Sequence, residues 1–304
     1  MKIFSIIVTY NGMQHNWIQT CLDSLLASSV KTEIIVIDNG SIDGTIDLIQ
    51  KKYPQVDVML ANANLGFAKA NNIGIKKAYE QGADFIFLLN QDAWVEEKTI
   101  ERLVEAFQQL PEAGIVSPVH LNGSKTHLDY GFVNYITPPN TPDFISDLYF
   151  NRLQDFYETS FVNAAAWLIR RECIEKVGGF DTLLFYHYGE DYNYCQRVIY
   201  HGSKLYIATT TTICHDREER KGNWSVEHEK RQGEVWECSC YADIRQDDTL
   251  LHGLKVRLSL QYAVKKILKL QFKNFFVQRE RDKRLYINIK QSREQNKKRG
   301  LNWL

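Results

Sequence analysis

At 304 residues the chain is long enough for one large α/β domain with an appendage, or for two domains, and its 44% hydrophobic and 24% charged content excludes disordered and fibrous classes. The formal net charge of zero hides a split: Leu254 to Leu304 carries 15 Lys or Arg against three acids (Glu280, Asp282, Glu294), a local +12 that leaves −12 on the first 253 residues. Six scattered cysteines without a CxxC pair exclude a zinc-site pattern and a small disulfide framework, and no run approaches 18 apolar residues, which excludes a membrane span. A reduced, cytosolic protein is the expectation, without a signal peptide, since Met1–Val8 enters a strand pattern at once.

In chain order, Ile3–Val8 predicts a strand, and Trp17–Ala27 a helix with Trp17, Ile18, Cys21, Leu22, Leu25 and Leu26 on one face. Glu33–Ile37 is a second strand, followed by a short helix near Thr45–Lys52 and a third strand over Val56–Leu60. Gly66–Gln81 is helical, and Asp84–Leu89 is an apolar run of the kind buried on both faces of a parallel sheet. A helix is expected over Glu96–Leu110 and a strand over Gly114–Pro118. Asn122–Tyr157, with Pro138, Pro139 and Pro142, reads as a long loop near a site. Phe161–Arg170 resumes as a strand, then come a helical turn at Glu172–Val177, a turn at Gly178–Asp181, a helix over Glu190–His201 and a strand at Lys204–Ala208. From about Leu251 the chain reads as a basic helical tail, apolar residues from Leu254 to Phe276 alternating with Lys265, Lys266, Lys269 and Lys273. Strands that alternate with helices of this length build a parallel, right-handed β-α-β sheet.

Carboxylates stand at comparable places: Asp38 after the second strand, Asp92 after the fourth, and the pair Glu190-Asp191 opening a later helix. Ligands bind outside the carboxyl ends of such strands, and parallel order brings the first two loops to one edge. Asp92 suits a divalent cation held against a phosphate, because hard cations take oxygen ligands; capping of the next helix is the plainer alternative. Asp38 equally suits an Asx-turn into Ser41–Gly44, and Glu190 and Asp191 equally suit simple charges at a helix start.

Six stretches carry a resemblance. Ile7-Val8-Thr9-Tyr10-Asn11, Val36 through Thr45 (VIDNGSIDGT), Asn62 through Asn72 (NANLGFAKANN), Leu89-Asn90-Gln91-Asp92, Val177-Gly178-Gly179-Phe180-Asp181 and Gly189-Glu190-Asp191-Tyr192 are similar, in order and spacing, to the motifs of inverting glycosyltransferases of family 2. The resemblance covers roughly residues 3–216 and, in finer detail, looks most like bacterial rhamnosyltransferases. It implies an α/β fold of the GT-A nucleotide-diphosphosugar type, a mostly parallel twisted sheet with flanking helices. The catalytic domain is expected over 1–250 (nucleotide-binding half about 1–118, acceptor-side half about 119–250), with 251–304 as a basic helical extension.

The resemblance implies a nucleotide-diphosphate sugar donor, L-rhamnose from dTDP-rhamnose first and a UDP-hexose next, and a glycan or lipid-linked acceptor, in bacterial cell-surface polysaccharide synthesis. Asp38 would accept the base N–H, with Thr9, Tyr10 and Asn11 lining the base pocket. Asn64, Gly66 and Asn71 would meet the diphosphate at a helix start, where backbone N–H groups favour anions. Asn90 would bond a ribose hydroxyl or a metal-bound water; the family's commonest pattern has Asp there, so one charge is missing and strict metal dependence is in question. Asp92, with His215, would hold Mg²⁺ or Mn²⁺. Asp191 would be the general base, kept ionised by the helix dipole, with Glu190 orienting the acceptor, and Trp167, Tyr186, His187 and Tyr188 would stack on acceptor sugars.

The basic tail suits an anionic membrane surface, on the inner face of the plasma membrane, or else packs on the catalytic domain or in a homodimer. No nucleic-acid motif accompanies its charge. A nucleotidyltransferase would need a Gly-rich, Arg/Lys-bearing first loop, and Thr9–Gly12 lacks that charge. A non-catalytic nucleotide-sugar-binding protein stays open because of Asn90.

Overall fold

The computed structural model describes residues 1–217, 226–254 and 272–304, with side chains for 1–217, 233–254 and 280–304. Strand β1 (Ile3–Thr9) lies at the centre of a parallel group. β2 (Glu33–Asp38) pairs with it so that Thr9 stands opposite Asp38, β4 (Phe85–Leu89) pairs on its other side, and β3 (Asp57–Leu60) pairs with β2. Parallel pairing puts the carboxyl ends of β1, β2 and β4 on one edge, which gathers residues 9–12, 38–41 and 90–92.

Beyond β4 the sheet turns antiparallel. β8 (Ala166–Arg170) pairs with β4 and β6 (Ala113–Leu121), β6 pairs in parallel with β9 (Lys204–His215), and β5 (Ala93–Val95) and β7 (Phe156–Thr159) pair antiparallel with β9. Nine strands thus form one sheet. Successive side chains of β1 enter opposite cores: Phe4 and Ile6 pack under α3 (Phe67–Glu80), α7 (Arg171–Val177) and α8 (Glu190–Tyr200), while Ile3 and Ile7 pack under α1 (Trp17–Leu26), α2 (Thr45–Lys52) and α4 (Thr99–Gln109).

Several expectations are corrected. The helix expected from Glu96 starts at Thr99, because β5 intervenes to pair with the end of β9. β9 does not stop at Ala208: the run Thr209–Thr212 is polar, so its apolar signal fades, but the strand passes through a register shift after Ala208, resumes pairing with β6 at Thr212 and ends at His215. The strand expected from Phe161 begins at Ala166, leaving 161–165 as loop. The proline-bearing stretch 122–157 holds α5 (Phe132–Tyr135) and α6 (Phe144–Tyr149).

Trp167 is also corrected, since it cannot stack on an acceptor sugar. It sits on β8 wholly inside the core, 6.1 Å from the parallel ring of Phe180 and 5.7 Å from Tyr194. Trp167→Ala should cost about 3–5 kcal/mol of unfolding free energy, the usual scale for deleting a buried aromatic; denaturant unfolding reads it directly.

Among the described residues two further helices follow, α9 (Val226–Ala242) and α10 (Phe272–Asn296). Ile289, Ser292, Arg293 and Asn296 are buried, so the segment 289–304 packs on the domain rather than standing off as a solvated tail. Residues 255–271, which hold most of the apolar and lysine positions of the expected membrane helix, lie outside the described residues. No helix of the described residues is long and apolar enough to cross a membrane.

Candidate active site

The loops after β1 and β2 are laced together. Ser41 Oγ accepts from the Asn11 N–H at 2.9 Å, Asn11 Oδ1 accepts from the Ile42 N–H at 3.0 Å, and Thr45 Oγ1 accepts from the Gly12 N–H at 2.8 Å. Asn11 itself adopts φ +51°, a left-handed conformation that Asn tolerates. Asp38 is buried; its carboxylate accepts from the N–H groups of Gly40 and Ser41 at 3.2 Å, so the expected Asx-turn is present. That turn leaves further acceptor lone pairs on the two carboxylate oxygens. Asn39 reaches the β3–α3 loop, donating to Asn64 Oδ1 at 3.1 Å and accepting from the Leu65 N–H at 2.7 Å.

Gln91 joins this group to the end of β4. Its Oε1 accepts from Thr9 Oγ1 at 2.7 Å and the Tyr10 N–H at 3.0 Å, and its Nε2 donates to the Tyr10 carbonyl at 3.1 Å. Asp92 is buried beside it in the turn between β4 and β5, so it caps no helix. Its Oδ1 lies 3.6 Å from His215 Nε2, and Asn90 Nδ2 lies 3.4 Å from the same nitrogen. On the other side of the ring, His215 Nδ1 is 3.6 Å from Asp129 Oδ2. These two 3.6 Å spacings are ion-pair distances, too long for hydrogen bonds.

Asp129 comes from the stretch read only as a loop. Burial favours its neutral form, but the bidentate Arg217 guanidinium at 2.8 and 2.6 Å outweighs that and holds its carboxyl below the ordinary range. Arg217 also bonds the Tyr135 hydroxyl and interacts with Asp191. No motif announced Asp129 or Arg217. Their roles exist only once β6 and β9 lie side by side.

Asp191 opens α8, where its carboxylate takes backbone hydrogen bonds from Tyr192 and Ala164. The neighbouring Ala165 carbonyl accepts from the Asn90 N–H at 2.9 Å, so one short loop ties the base candidate to the end of β4. Desolvation raises the pKa of Asp191 despite those N–H bonds. Glu190 is buried too, with Oε2 unpartnered among the described residues, and burial followed by repulsion from Asp191 pushes its pKa up to about 8. Its native pKa lies above the unfolded one, so the folded state binds the extra proton and stability falls as pH rises from about 4.5 through 8. Glu190→Gln should flatten that fall, as melting temperatures across this range would record.

Two sequence-predicted residues differ from the rest. Asn71 is buried and donates back to the Phe67 carbonyl inside α3 at 3.0 Å, so its amide is spent within the helix instead of facing the cleft. Gly66 (φ +79°) does meet another backbone: a Cβ there would lie 2.2 Å from the Tyr186 carbonyl oxygen. Tyr186 donates from its hydroxyl to the Asn64 carbonyl at 2.9 Å, which brings the loop before α8 onto the β3–α3 loop. Tyr186 and Tyr188 are exposed there, and the His187 and Tyr188 rings lie 4.2 Å apart.

Asp92 and His215 fit a divalent cation: a carboxylate oxygen and an imidazole nitrogen are suitable donors, and the pairing of Ala93 with His215 brings the turn before β5 to the end of β9. Among the described residues no three His, Cys, Asp or Glu side chains are grouped to hold an ion by themselves, so the remaining positions fall to ligand oxygens and water.

Comparison with known proteins follows this geometry. The family description "Glycosyl transferase family 2" matches residues 5–178. The chain is 26% identical to the dTDP-rhamnosyl transferase RfbF of Shigella flexneri, over 70% of this chain and 69% of that one. It is 25% identical to the N-acetylglucosaminyl-diphospho-decaprenol L-rhamnosyltransferase of Mycobacterium tuberculosis, over 87% and 96%. Among solved structures, S. aureus TarS residues 1–349 superimpose with TM-score 0.57 at 14% identity, over 98% of this chain and 89% of that one. GalNAc-T7 with UDP, GalNAc and Mn²⁺ superimposes with TM-score 0.58 at 16% identity, over 78% of this chain and about half (48%) of that one.

Proposed function

The chain belongs to glycosyl transferase family 2, and from that premise we propose that it transfers a sugar, with inversion, from a nucleoside diphosphate to a hydroxyl of a glycan or lipid-linked glycan. The observation that carries this is the unbroken line of contacts from Asp38 and Thr9 through Gln91 to Asp92 and His215, and from Asn90 through Ala164–Ala165 to Asp191. The residues proposed for base and diphosphate and the partly buried Asp191 carboxylate therefore share one sheet edge.

In this reading Thr9, Tyr10, Asn11 and Asp38 hold a pyrimidine base, the residual acceptor capacity of Asp38 matching an imide N–H. Asn64 and Gly66 face the diphosphate, and Asn90 a ribose hydroxyl. Asp92 and His215 would hold Mg²⁺ or Mn²⁺, which when bound neutralises diphosphate charge. Asp191 takes the proton of the acceptor hydroxyl as its oxygen bonds the anomeric carbon. The bond from that carbon to the diphosphate oxygen breaks on the opposite face, and the nucleoside diphosphate leaves with the electron pair. Glu190, whose pKa burial raises, orients the acceptor, and Tyr186, His187 and Tyr188 form its platform.

dTDP-rhamnose is the first donor to test, because both curated relatives above are named rhamnosyl transferases. A UDP-hexose is the second reading, favoured by the UDP and GalNAc bound in the GalNAc-T7 structure. The division into a nucleotide half (about 1–118) and an acceptor half (about 119–250) belongs to the same proposal, its boundary falling within β6. The lysines and arginines after Leu254 favour contact of such an enzyme with an anionic membrane surface, where a lipid-linked acceptor resides. A panel of nucleotide sugars, read by release of nucleoside diphosphate with and without Mn²⁺, tests the proposal. Turnover of dTDP-rhamnose is the expected result, and no turnover of any nucleotide sugar overturns it.

A further inference from the structure

The turn Gly178–Asp181 is built around residues far away in the chain. Asp181 is fully buried. One carboxylate oxygen accepts from the N–H groups of Leu183 and Leu184, at 2.9 and 3.2 Å; the other accepts from Ser292 Oγ and, at 3.0 Å, from Asn296 Nδ2. Asn296 is satisfied in turn: its Oδ1 accepts from the Trp303 indole at 2.7 Å and its carbonyl bonds His201 Nε2 at 2.9 Å. The Gly179 N–H donates to the Asn302 carbonyl at 2.8 Å, and a Cβ at Gly178 would lie 2.1 Å from that same oxygen. The two glycines thus let residues 302–304 cross the turn by close backbone approach.

The same segment reaches α3, where Asn72 holds the Phe180 N–H and carbonyl and also donates to the Trp303 carbonyl at 3.2 Å. Buried Arg293 fastens α10 to the bend at 241–248, donating to the carbonyls of Tyr241, Asp243 and Gln246 and to the Asp248 carboxylate. Leu184 packs into the small core formed by Leu251, Leu254 and Ile289.

The loop that begins at Asp181 carries Tyr186 against Asn64 and Gly66 and ends at Glu190 and Asp191. Its first residues are therefore pinned by α10, while its far part spans the two halves of the proposed active site. We propose that Ser292, Asn296 and Asp181 are positioning residues: residues 289–304 belong to the acceptor side of the catalytic unit and set the placement of the 181–191 loop and of the Asp191 carboxylate. This rests on the glycosyltransferase reading only for its consequence in turnover, not for the geometry.

Ser292→Ala removes one oxygen, and Asp181→Asn keeps the shape of the side chain, so both test the link with little change of volume. In hydrogen exchange by mass spectrometry, peptides spanning 181–192 should exchange at least tenfold faster in both variants, while β1 peptides keep wild-type protection. With dTDP-rhamnose and Mn²⁺, kcat should fall about tenfold while donor KM stays within threefold, because among the described residues no hydrogen bond or ion pair joins the 9–12 and 38–41 loops to α10. Exchange in 181–192 within twofold of wild type overturns the proposal, as does an equal rise in β1, which marks general destabilisation. Unchanged kcat in both variants overturns it too. Wild-type protein that turns over no nucleotide sugar defeats the functional reading, and the exchange result then decides the positioning role alone.

Discussion

Asp191→Asn is expected to lower the transfer rate by about 10²–10⁴-fold, the range over which a positioned general base acts, with nucleoside diphosphate affinity unchanged within twofold. The amide keeps the volume and can still accept from the Ala164 and Tyr192 N–H groups, so the helix start and the loop beside Asn90 should stay in place. What disappears is a carboxylate able to take the acceptor proton. Because burial raises the Asp191 pKa, the acid limb of kcat/KM for wild type should stand above the ordinary carboxylate range, rising with pH as the base ionises. That limb should be missing from any residual activity of the variant. Initial rates across pH, with calorimetric titration of dTDP and UDP, check both statements; turnover within threefold of wild type would remove Asp191 from the mechanism.

The second large effect is expected at Asp92. Asp92→Ala removes the carboxylate of the proposed cation site and leaves His215, while Asp129 faces the opposite ring nitrogen and is engaged by Arg217. Metal stabilisation of departing phosphate charge is worth several kcal/mol, so kcat/KM should fall on the order of 10²–10³-fold. The stronger test is binding: Mn²⁺ should tighten dTDP binding to wild type and leave the variant's affinity unaltered. If Mn²⁺ tightens binding equally in both, the cation does not sit between Asp92 and His215.

Much of the candidate site was legible because its members end apolar strands or open amphipathic helices. Asp38 and Asp92 each follow a run buried on both faces, and parallel order alone brings such ends together. Asp129 and Arg217 were illegible for the converse reason. One sits in a proline-bearing stretch without periodicity, the other past a polar threonine run, and only the pairing of β6 with β9 makes them partners. Trp167 and Asn71 misled because an aromatic residue beside a motif, or an amide at a helix start, looks alike whether it faces a cleft or the core.

By itself the sequence determined the alternation of strands and helices, the edge on which the carboxylates collect and the family, because apolar periodicity and short motifs are local properties. Tertiary structure alone decided which side of His215 each carboxylate takes, that desolvation raises the pKa of Asp191, and that residues 289–304 close over the Gly178–Asp181 turn. Those outcomes depend on desolvation and on contacts between segments more than a hundred residues apart, and no local pattern encodes either.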